Sequence, residues 1–599
     1  MKKNLYSLLL ILLWGGPFIG WSQQEEISIP SARIQSENLS TESLGDTITI
    51  PIEDDFSYPG NLPTPKTWAD RKAYVNQTLP LNVKSIGVAT LDGLDEFGYA
   101  YDINRVGSDT LADVLTSHYI DLSSTSGQVL LSFLYQGGGL GEGPEPDDSI
   151  VVDFWSVPDS NWVRVWRDTG WVEDNFRTAI IPVLQTRFLQ NGFRFRIGSY
   201  GSLQGAFDNW HIDYVNLDDD RNVMDTTVLE PAFVKPHEDI TDVFSRIPWF
   251  HYDQALVRDT LDYVYRRNGP PPPGGWSLNL GRYEVKENGS VISTRTSVPL
   301  VTTLNHNVDL PFQAPLNLPA LSPIDEFVID MKTWFDGTAE GLRQNDTVRL
   351  HQEFKNYYAF DDGTAERAYG IKNVFGAITV IRFNPLQGDE FRGLYINFTP
   401  TEDDVTKNSF QIGIWEDNNG QPGIQLYLSD TVFKPDYGYV ANDLLPYIID
   451  SSGIQINGPV FVGVRQTRPE PLNIGLDLNH LDRTQIWYGD GGNWYQSLTT
   501  ATLMMRPIMR YNPRDLDIPE REIKAPVAFP NPGDGLIQLQ NTPANTTYQV
   551  IDVYGRPILQ GTLGQEGILD LRSMQRGMYL LQLHHPELGG QRVIKLILN

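Results

Sequence analysis

Two groups of acidic residues stand at the two ends of one segment of this chain. Glu53, Asp54 and Asp55 open the segment, and Asp208 and Asp213 come where it closes. Carboxylate oxygens are the hard ligands that calcium prefers in proteins. In a β-sandwich whose first and last strands lie side by side, these five carboxylates would meet. The spacing therefore predicts a structural calcium site, and the alternative is a set of acids in turns and on edge strands.

Tryptophans offer a second kind of chemistry, because the apolar face of an indole ring can stack on a sugar ring. The first segment and a later one each hold a group of them: Trp155, Trp162, Trp166 and Trp171, then Trp487 and Trp494. Trp171 and Trp494 stand beside glycine and polar residues, so they are the candidates for exposed ligand-binding rings. Core packing is the alternative for all of them.

Residues 193–197 of the first segment alternate between apolar and basic side chains, which is typical of a strand with one buried and one solvent-exposed face. Arg194 and Arg196 alternate with apolar residues. The same period of two puts Trp162, Arg164 and Trp166 on one side of their strand.

Recognisable catalytic motifs are absent from the sequence. It contains no His-Glu-x-x-His, no Gly-x-Ser-x-Gly and no phosphate-binding Gly-Lys-Thr loop. With 0 Cys there is no thiol nucleophile, and the 9 His are scattered. A glycosidase needs only two catalytic carboxylates. Acidic residues are so abundant in this sequence that their presence does not identify any particular catalytic pair. The sequence therefore predicts a protein that is not an enzyme.

Composition limits the fold and the partners. The 599 residues include 75 Asp+Glu and 46 Lys+Arg, a formal net charge of −29 that argues against nucleic acid and anionic lipid as partners. The 52 Gly and 40 Pro indicate many short strands and turns. We expect an all-β, multi-domain chain of β-sandwiches that are held by apolar burial rather than by disulfides.

Composition shifts and turn signals divide the chain. The predicted units are a signal peptide (1–22), a lead-in tether (23–50), a first sandwich (51–220), a connecting sandwich (221–353), a third sandwich (354–511), a linker (512–523) and a C-terminal sandwich (524–599). After signal cleavage no segment is apolar enough to span a membrane.

Within the first sandwich, the Gly-rich acidic loop 136–149, the strand 162–166 and the closing Phe207-Asp208-Asn209-Trp210 resemble MAM-like jelly-roll modules. The third sandwich is similarly jelly-roll-like, and the connector is expected to be immunoglobulin-like.

The C-terminal sandwich carries an ordered series of short motifs. They are Pro530-Asn531-Pro532, Asp552-Val553-Tyr554-Gly555-Arg556, Leu569-Asp570-Leu571, Gly577-Met578-Tyr579-Leu580 and a closing Val593-Ile594-Lys595-Leu596. The series resembles the type A C-terminal sorting domain of the Bacteroidetes type IX secretion system. The resemblance implies that the secretion machinery is a partner and that Pro530, Asn531, Pro532, Gly555, Arg556, Gly577, Tyr579 and Lys595 belong to the sorting signal. It also implies passage through the periplasm to the outer surface or the medium.

Three functions remain open at this stage. The first is a secreted or surface protein that binds glycan, matrix or another surface protein. The second is a hydrolase whose acidic residues use an arrangement that no motif reveals, and the third is a purely structural surface component. Binding predicts exposed aromatic rings on a shallow face, whereas hydrolysis predicts two facing carboxylates in a cleft.

Overall fold

The structure is a computed structural model that describes residues 24–33, 47–270, 280–298, 306–336, 344–510 and 526–598, apart from short gaps at 106, 108–109, 225–227, 229, 439, 450–452, 482–483, 491, 544–545, 553–555, 565–566, 573 and 586–589. Within these ranges the helical elements are three short 3₁₀ turns, Trp249–His251, Gln254–Leu256 and Val405–Lys407. All other regular structure there is strand, which confirms the all-β, multi-domain prediction. The predicted signal peptide, the linker 512–523 and Gly555 lie outside the described residues.

The first sandwich follows one strand of the lead-in. The strands are β1 (Gln24–Ser28), β2 (Ile52–Asp54), β3 (Tyr74–Asn76), β4 (Val88–Leu91), β5 (Leu111–Thr116), β6 (Ile120–Asp121), β7 (Leu130–Gly137), β8 (Ser149–Ser156), β9 (Asn161–Thr169), β10 (Arg177–Pro182), β11 (Asn191–Phe193), β12 (Phe195–Tyr200) and β13 (Trp210–Asp218). One sheet has the order β10-β7-β13-β4-β3, with β2 also on β13, and the other has the order β5-β12-β8-β9. Buried apolar side chains from both sheets, including Phe133, Phe195 and Trp210, form one cluster. This cluster is the core that holds the two sheets together.

The second segment also forms two sheets. Its strands are β14 (Glu230–Phe233), β15 (Thr260–Asn268), β16 (Leu280–Glu287), β17 (Ser290–Val298), β18 (Asp309–Pro315), β19 (Phe327–Asp336) and β20 (Thr347–Phe354). The sheets have the orders β14-β15-β18 and β17-β16-β19-β20.

The third segment has the most strands among the described residues. Its strands are β21 (Arg367–Lys372), β22 (Ile378–Phe383), β23 (Asp389–Ile396), β24 (Phe410–Asn418), β25 (Gln421–Leu428), β26 (Leu445–Ile448), β27 (Ile454–Ile456), β28 (Val460–Gln466), β29 (Ile474–Asp477), β30 (Ile486–Gly489), β31 (Trp494–Gln496), β32 (Thr502–Leu503) and β33 (Met505–Met509). A six-stranded sheet, β25-β24-β28-β22-β30-β31, is accompanied by a sheet in which β23 pairs with β26, β27 and β33. A further sheet has the order β1-β21-β29-β32.

The lead-in therefore differs from the sequence prediction. Gln24–Ser28 pairs antiparallel with β21, more than 300 residues away in sequence, with Gln24 opposite Lys372 and Ser28 opposite Ala368. Tyr369 Oη donates to Glu25 Oε1 at 2.8 Å, and Lys372 Nζ donates to Glu26 Oε1 at 2.8 Å. The prediction of a lead-in tether is wrong for these residues, because the polar run pairs with a sheet edge that only the folded third segment provides.

The C-terminal sandwich is small and has its own core. Its strands are β34 (Val527–Phe529), β35 (Leu536–Gln540), β36 (Thr547–Ile551), β37 (Pro557–Thr562), β38 (Ile568–Asp570), β39 (Gly577–His585) and β40 (Gly590–Leu598). The sheets β34-β35-β38 and β37-β36-β39-β40 enclose a separate cluster that includes Ile537, Leu581 and Leu596.

Candidate functional site

The sheet β5-β12-β8-β9 of the first sandwich carries aromatic rings and guanidinium groups on the side that faces away from the core. Phe193, Phe195 and Ile197 are fully buried in the core. Because successive side chains of an extended chain point to opposite faces, Arg194 and Arg196 lie on the outer side. We define the aromatic–arginine face as Tyr119, Trp155, Trp162, Arg164, Arg194, Arg196 and Tyr200.

Ring contacts connect these residues. Trp155 and Trp162 are directly opposite on β8 and β9, and their rings meet edge to face with centroids 5.3 Å apart. The guanidinium carbon of Arg196 lies 4.6 Å from the centroid of Trp162, and that of Arg194 lies 4.9 Å from the centroid of Tyr119. Cations above aromatic faces are attracted by the ring quadrupole. The contacts therefore hold rings and charges in one continuous row.

A β-bulge decides which tryptophans join this row. The register between β8 and β9 shifts at Asp153, so that Val152 is opposite Trp166 but Asp153 is opposite Arg164. The extra residue turns Trp166 toward the core, where its ring lies 5.3 Å from that of Tyr135. The sequence prediction that Trp162 and Trp166 share a side is therefore wrong.

The face has more positive than negative groups. Asp153, whose side chain is 3% exposed, accepts hydrogen bonds from Arg164 Nε and, at 3.0 Å, from Arg196 Nε. Arg194 Nε donates to the carbonyl oxygen of Ser117 at 2.9 Å. Asp70 also lies within electrostatic range of Arg194; burial raises the pKa of Asp70 to about 6, so at neutral pH this carboxyl is still mostly ionised. Three guanidinium groups thus stand against two carboxylates, Asp153 and Asp70, and the face keeps a positive balance.

The first and last strands of the same sandwich bring part of the predicted acidic group together. β2 pairs with β13, with Asp54 opposite Val215. Asp54 Oδ2 accepts from Trp68 Nε1 at 2.7 Å, and burial raises the pKa of Asp54 to about 7. Asp55 accepts from Ser57, and burial raises its pKa to about 6.

Asp213 is the most deeply buried member of this group. Burial, followed by the charge of Asp55, raises the pKa of Asp213 well above its ordinary value. Its Oδ1 accepts from Tyr214 N at 2.7 Å, whereas its Oδ2 has no hydrogen-bond partner among the described residues. The charge of Glu230, from the second segment, also acts on Asp213.

Asn345 extends the group from the second segment. Its Nδ2 donates to Tyr214 Oη at 3.1 Å and to Glu230 Oε1 at 2.6 Å. Its Oδ1 is buried and finds no partner in the part of the chain that the structure describes. The two unpartnered oxygens, Asp213 Oδ2 and Asn345 Oδ1, belong to a buried group that contains several carboxylates.

Two of the five predicted metal ligands lie elsewhere. Glu53 is exposed, and its Oε1 accepts from Asn216 Nδ2 at 2.9 Å. Asp208 precedes the start of β13, five residues before Asp213. It instead joins Glu145 and Asp148, with the candidate ligand atoms of the three residues within 4.8 Å of one another. The prediction that all five carboxylates meet is therefore wrong.

A further acidic group lies in the third segment. Asp477 Oδ2 accepts from Asp362 N at 2.8 Å and lies 3.0 Å from His480 Nδ1. Burial raises the pKa of Asp362 to about 7 and that of Glu366 to about 8. Asp477 and His480 come more than 100 residues after Asp362, so only the folded chain brings them together.

The two predicted ligand-binding tryptophans are half-buried and packed. The guanidinium of Arg177 lies 3.6 Å from the centroid of Trp171, whose ring also meets that of Trp210 at 6.0 Å. Trp494 packs edge to face on buried Trp415, with centroids 5.8 Å apart. Both rings pack against buried apolar clusters, whereas Trp155 and Trp162 lie outside those clusters, so Trp155 and Trp162 are the better candidates.

The predicted sorting residues take several positions in the C-terminal sandwich. Between exposed Pro530 and Pro532, Asn531 Nδ2 donates to Lys595 O at 2.6 Å and Asn531 Oδ1 accepts from Ile597 N at 2.9 Å. These contacts fasten the first turn to the last strand.

The other described sorting residues lie at a turn or on the last two strands. Arg556 Nε donates to Asp552 Oδ2 at 2.9 Å, and Tyr579 Oη donates to Gln575 O at 2.8 Å. Gly577 begins β39, and the Lys595 side chain on β40 is exposed.

Comparison with known proteins identifies the C-terminal sandwich. Residues 527–599 match the family described as the secretion system C-terminal sorting domain. No curated protein matches the chain. The resemblance of the first sandwich to MAM-like modules stays a prediction.

Two solved structures are distantly similar. One is the glycoside hydrolase domain of Endo-D from Streptococcus pneumoniae R6, with 10% identity and a TM-score of 0.13 over 52% of this chain and 36% of that chain. The other is dimeric latent PorU from Porphyromonas gingivalis, with 11% identity and a TM-score of 0.13 over 65% of this chain and 31% of that chain. The chain thus spans about a third of the length of each, and likeness at this level carries no argument.

The described residues contain no helix that is long and apolar enough to cross a membrane. With its C-terminal sorting domain, the chain is a substrate of the type IX secretion system and is exported to the cell surface or the extracellular space.

Proposed function

We propose that this exported chain binds carbohydrate at the aromatic–arginine face of its first sandwich. The observation that carries the proposal is the Trp155–Trp162 pair, which lies on the outer side of the sheet and outside the buried cluster. Indole rings that no core requires are unusual on a surface and suit stacking against the apolar face of a sugar.

The contacts favour Trp155 as the stacking platform. Arg194 and Arg196 lie over Trp162, at 5.8 Å and 4.6 Å from its centroid. Trp155 contacts Trp162 through a single edge-to-face pair. A sugar on Trp155 would therefore have the guanidinium groups beside it as hydrogen-bond donors.

The test is a glycan-array screen of the full-length chain, followed by titration of the best ligand. Trp155→Ala should weaken binding at least tenfold, or ~1.4 kcal/mol. The matched control is Trp334→Ala in the second segment, where Lys332 lies 4.9 Å from the ring centroid. Equal affinity of the Trp155 variant and the parent would refute the proposal.

The same samples test the two alternative functions. Release of new reducing ends from a bound oligosaccharide would favour the hydrolase. Absence of binding to any glycan would favour a structural component or a protein partner.

We further propose that calcium binds the buried acidic group at the junction of the first and second segments. The support is the pair of unpartnered buried oxygens, Asp213 Oδ2 and Asn345 Oδ1, beside Asp55 and Glu230. Calcium takes six to eight oxygen ligands from carboxylates, amide carbonyls and water. Such an ion would offset the repulsion among the carboxylates and would fasten the two segments to each other.

A further inference from the structure

The three arginines of the aromatic–arginine face point to the kind of carbohydrate that this face selects. A guanidinium group has five N–H donors in a planar fork, which matches the paired oxygens of a carboxylate or a sulfate. The hydrogen bond from Arg194 to Ser117 uses one of these five donors. The other four have no hydrogen-bond partner among the described residues.

The arrangement on the sheet spaces the charges regularly. Arg194 and Arg196 are two residues apart on one extended stretch, which separates their Cα atoms by about 7 Å. Arg164 lies on β9, two strands from β12, so that its backbone is about 10 Å away across the sheet. The side chain of Arg164 is 37% exposed and that of Arg196 is 23% exposed, so solvent reaches both.

The local charge is opposite to that of the whole chain. The chain carries a formal net charge of −29, yet this face presents three arginines against two carboxylates, the nearly buried Asp153 and, near Arg194, Asp70. Screening limits attraction between charges to about 8–10 Å at ordinary salt. The net charge of the chain therefore opposes binding of an anionic polymer, whereas the local charge of this face favours a polymer that contacts it.

We propose that the ligand of the aromatic–arginine face is an anionic polysaccharide whose sugars carry carboxylate or sulfate groups. This inference rests on the proposed carbohydrate function and deepens it. Trp155 stacks on the apolar side of one sugar, and Arg194, with Arg196 beside it, donates hydrogen bonds to the anionic group. Charge-assisted hydrogen bonds of this kind are about twice as strong as neutral ones, so they would set the preference.

The experiment measures binding of the full-length chain to two matched pairs of polymers. Dextran sulfate is compared with dextran, and polygalacturonate is compared with its fully methyl-esterified form. Each pair keeps the backbone and removes the charge. We expect at least tenfold tighter binding to the charged member of one or both pairs, and preference in only one pair would separate sulfate from carboxylate.

Two variants assign that preference to residues. Arg194→Gln should weaken binding to the charged polymer at least tenfold, whereas Arg194→Lys should recover part of the loss. The control is Arg177→Gln, which removes a guanidinium that lies over Trp171 on the opposite sheet. That variant should bind within twofold of the parent.

The outcomes separate this inference from the proposed function. If charged and neutral polymers bind equally well, and Trp155→Ala abolishes that binding, the anionic preference is overturned and the proposed carbohydrate function still holds. If charged polymers bind tightly but neither Trp155→Ala nor Arg194→Gln weakens the binding, then neither the carbohydrate function nor the anionic preference can be assigned to this face. Failure to bind any of the four polymers, with glycan-array binding intact, would overturn the anionic class alone.

Discussion

Asn531 in the C-terminal sandwich allows a prediction whose size follows from the structure. Its amide donates to Lys595 O at 2.6 Å and accepts from Ile597 N at 2.9 Å, so that Asn531→Ala removes two hydrogen bonds to β40. Each is worth roughly 0.5–1.5 kcal/mol in net stability, so the local loss is about 1–3 kcal/mol. The hydrogen bond from Gly533 N to Ile597 O, at 3.0 Å, remains in the variant.

Hydrogen exchange is the appropriate assay, because all tryptophans precede the C-terminal sandwich and their fluorescence cannot report on it. If the loss opens β40 locally, the Ile597 amide should exchange about 5- to 150-fold faster in the variant, since 1.4 kcal/mol corresponds to a factor of ten. Gln560→Ala, at an exposed position of β37, is the control and should leave that rate unchanged. Unchanged exchange at Ile597 in Asn531→Ala would refute the assigned role of the two hydrogen bonds.

Four further predictions concern the body of the chain. Trp166→Ala should cost up to about 3 kcal/mol of stability because its ring packs against the core, whereas Trp162→Ala should cost less. Denaturant titration compares the two variants, and equal losses would contradict the bulge assignment. Asp361→Asn should lower the free energy of unfolding by about 3–5 kcal/mol, because it leaves the buried guanidinium of Arg506 without its counter-charge. An unchanged unfolding midpoint in denaturant would contradict that role of Asp361. Calcium should raise the melting midpoint of the parent but not of Asp213→Asn, and a shift of equal size in both would place the ion elsewhere. Without calcium, the raised pKa of Asp213 means that the folded chain binds more protons than the unfolded chain, so the midpoint should rise as the pH falls through that raised pKa toward the ordinary carboxyl range.

Local patterns in the sequence predicted local structure well. The alternation around Arg194 and Arg196 correctly placed apolar side chains inside and arginines outside. The ordered motifs of the C-terminal sandwich correctly indicated its family. Both signals depend on residues that are close in sequence, where strand periodicity and turn chemistry act directly.

Features that depend on contacts between residues distant in sequence could not be predicted from the sequence. A single bulge at Asp153 turned Trp166 away from the side that the period of two assigned to it. The partner of Gln24–Ser28 is a strand more than 300 residues away. Asn345 joins the acidic group of the first sandwich only because the second segment packs against Tyr214. No periodicity or spacing encodes such contacts.

Hydroxyl-radical footprinting of the full-length chain, with and without bound polysaccharide, tests the proposed binding face most directly. Binding at the aromatic–arginine face predicts protection of Trp155 and of the stretch around Arg194 and Arg196, with little change at Trp171 or Trp494. Protection confined to Trp171 or Trp494, with Trp155 equally reactive in both states, would contradict it.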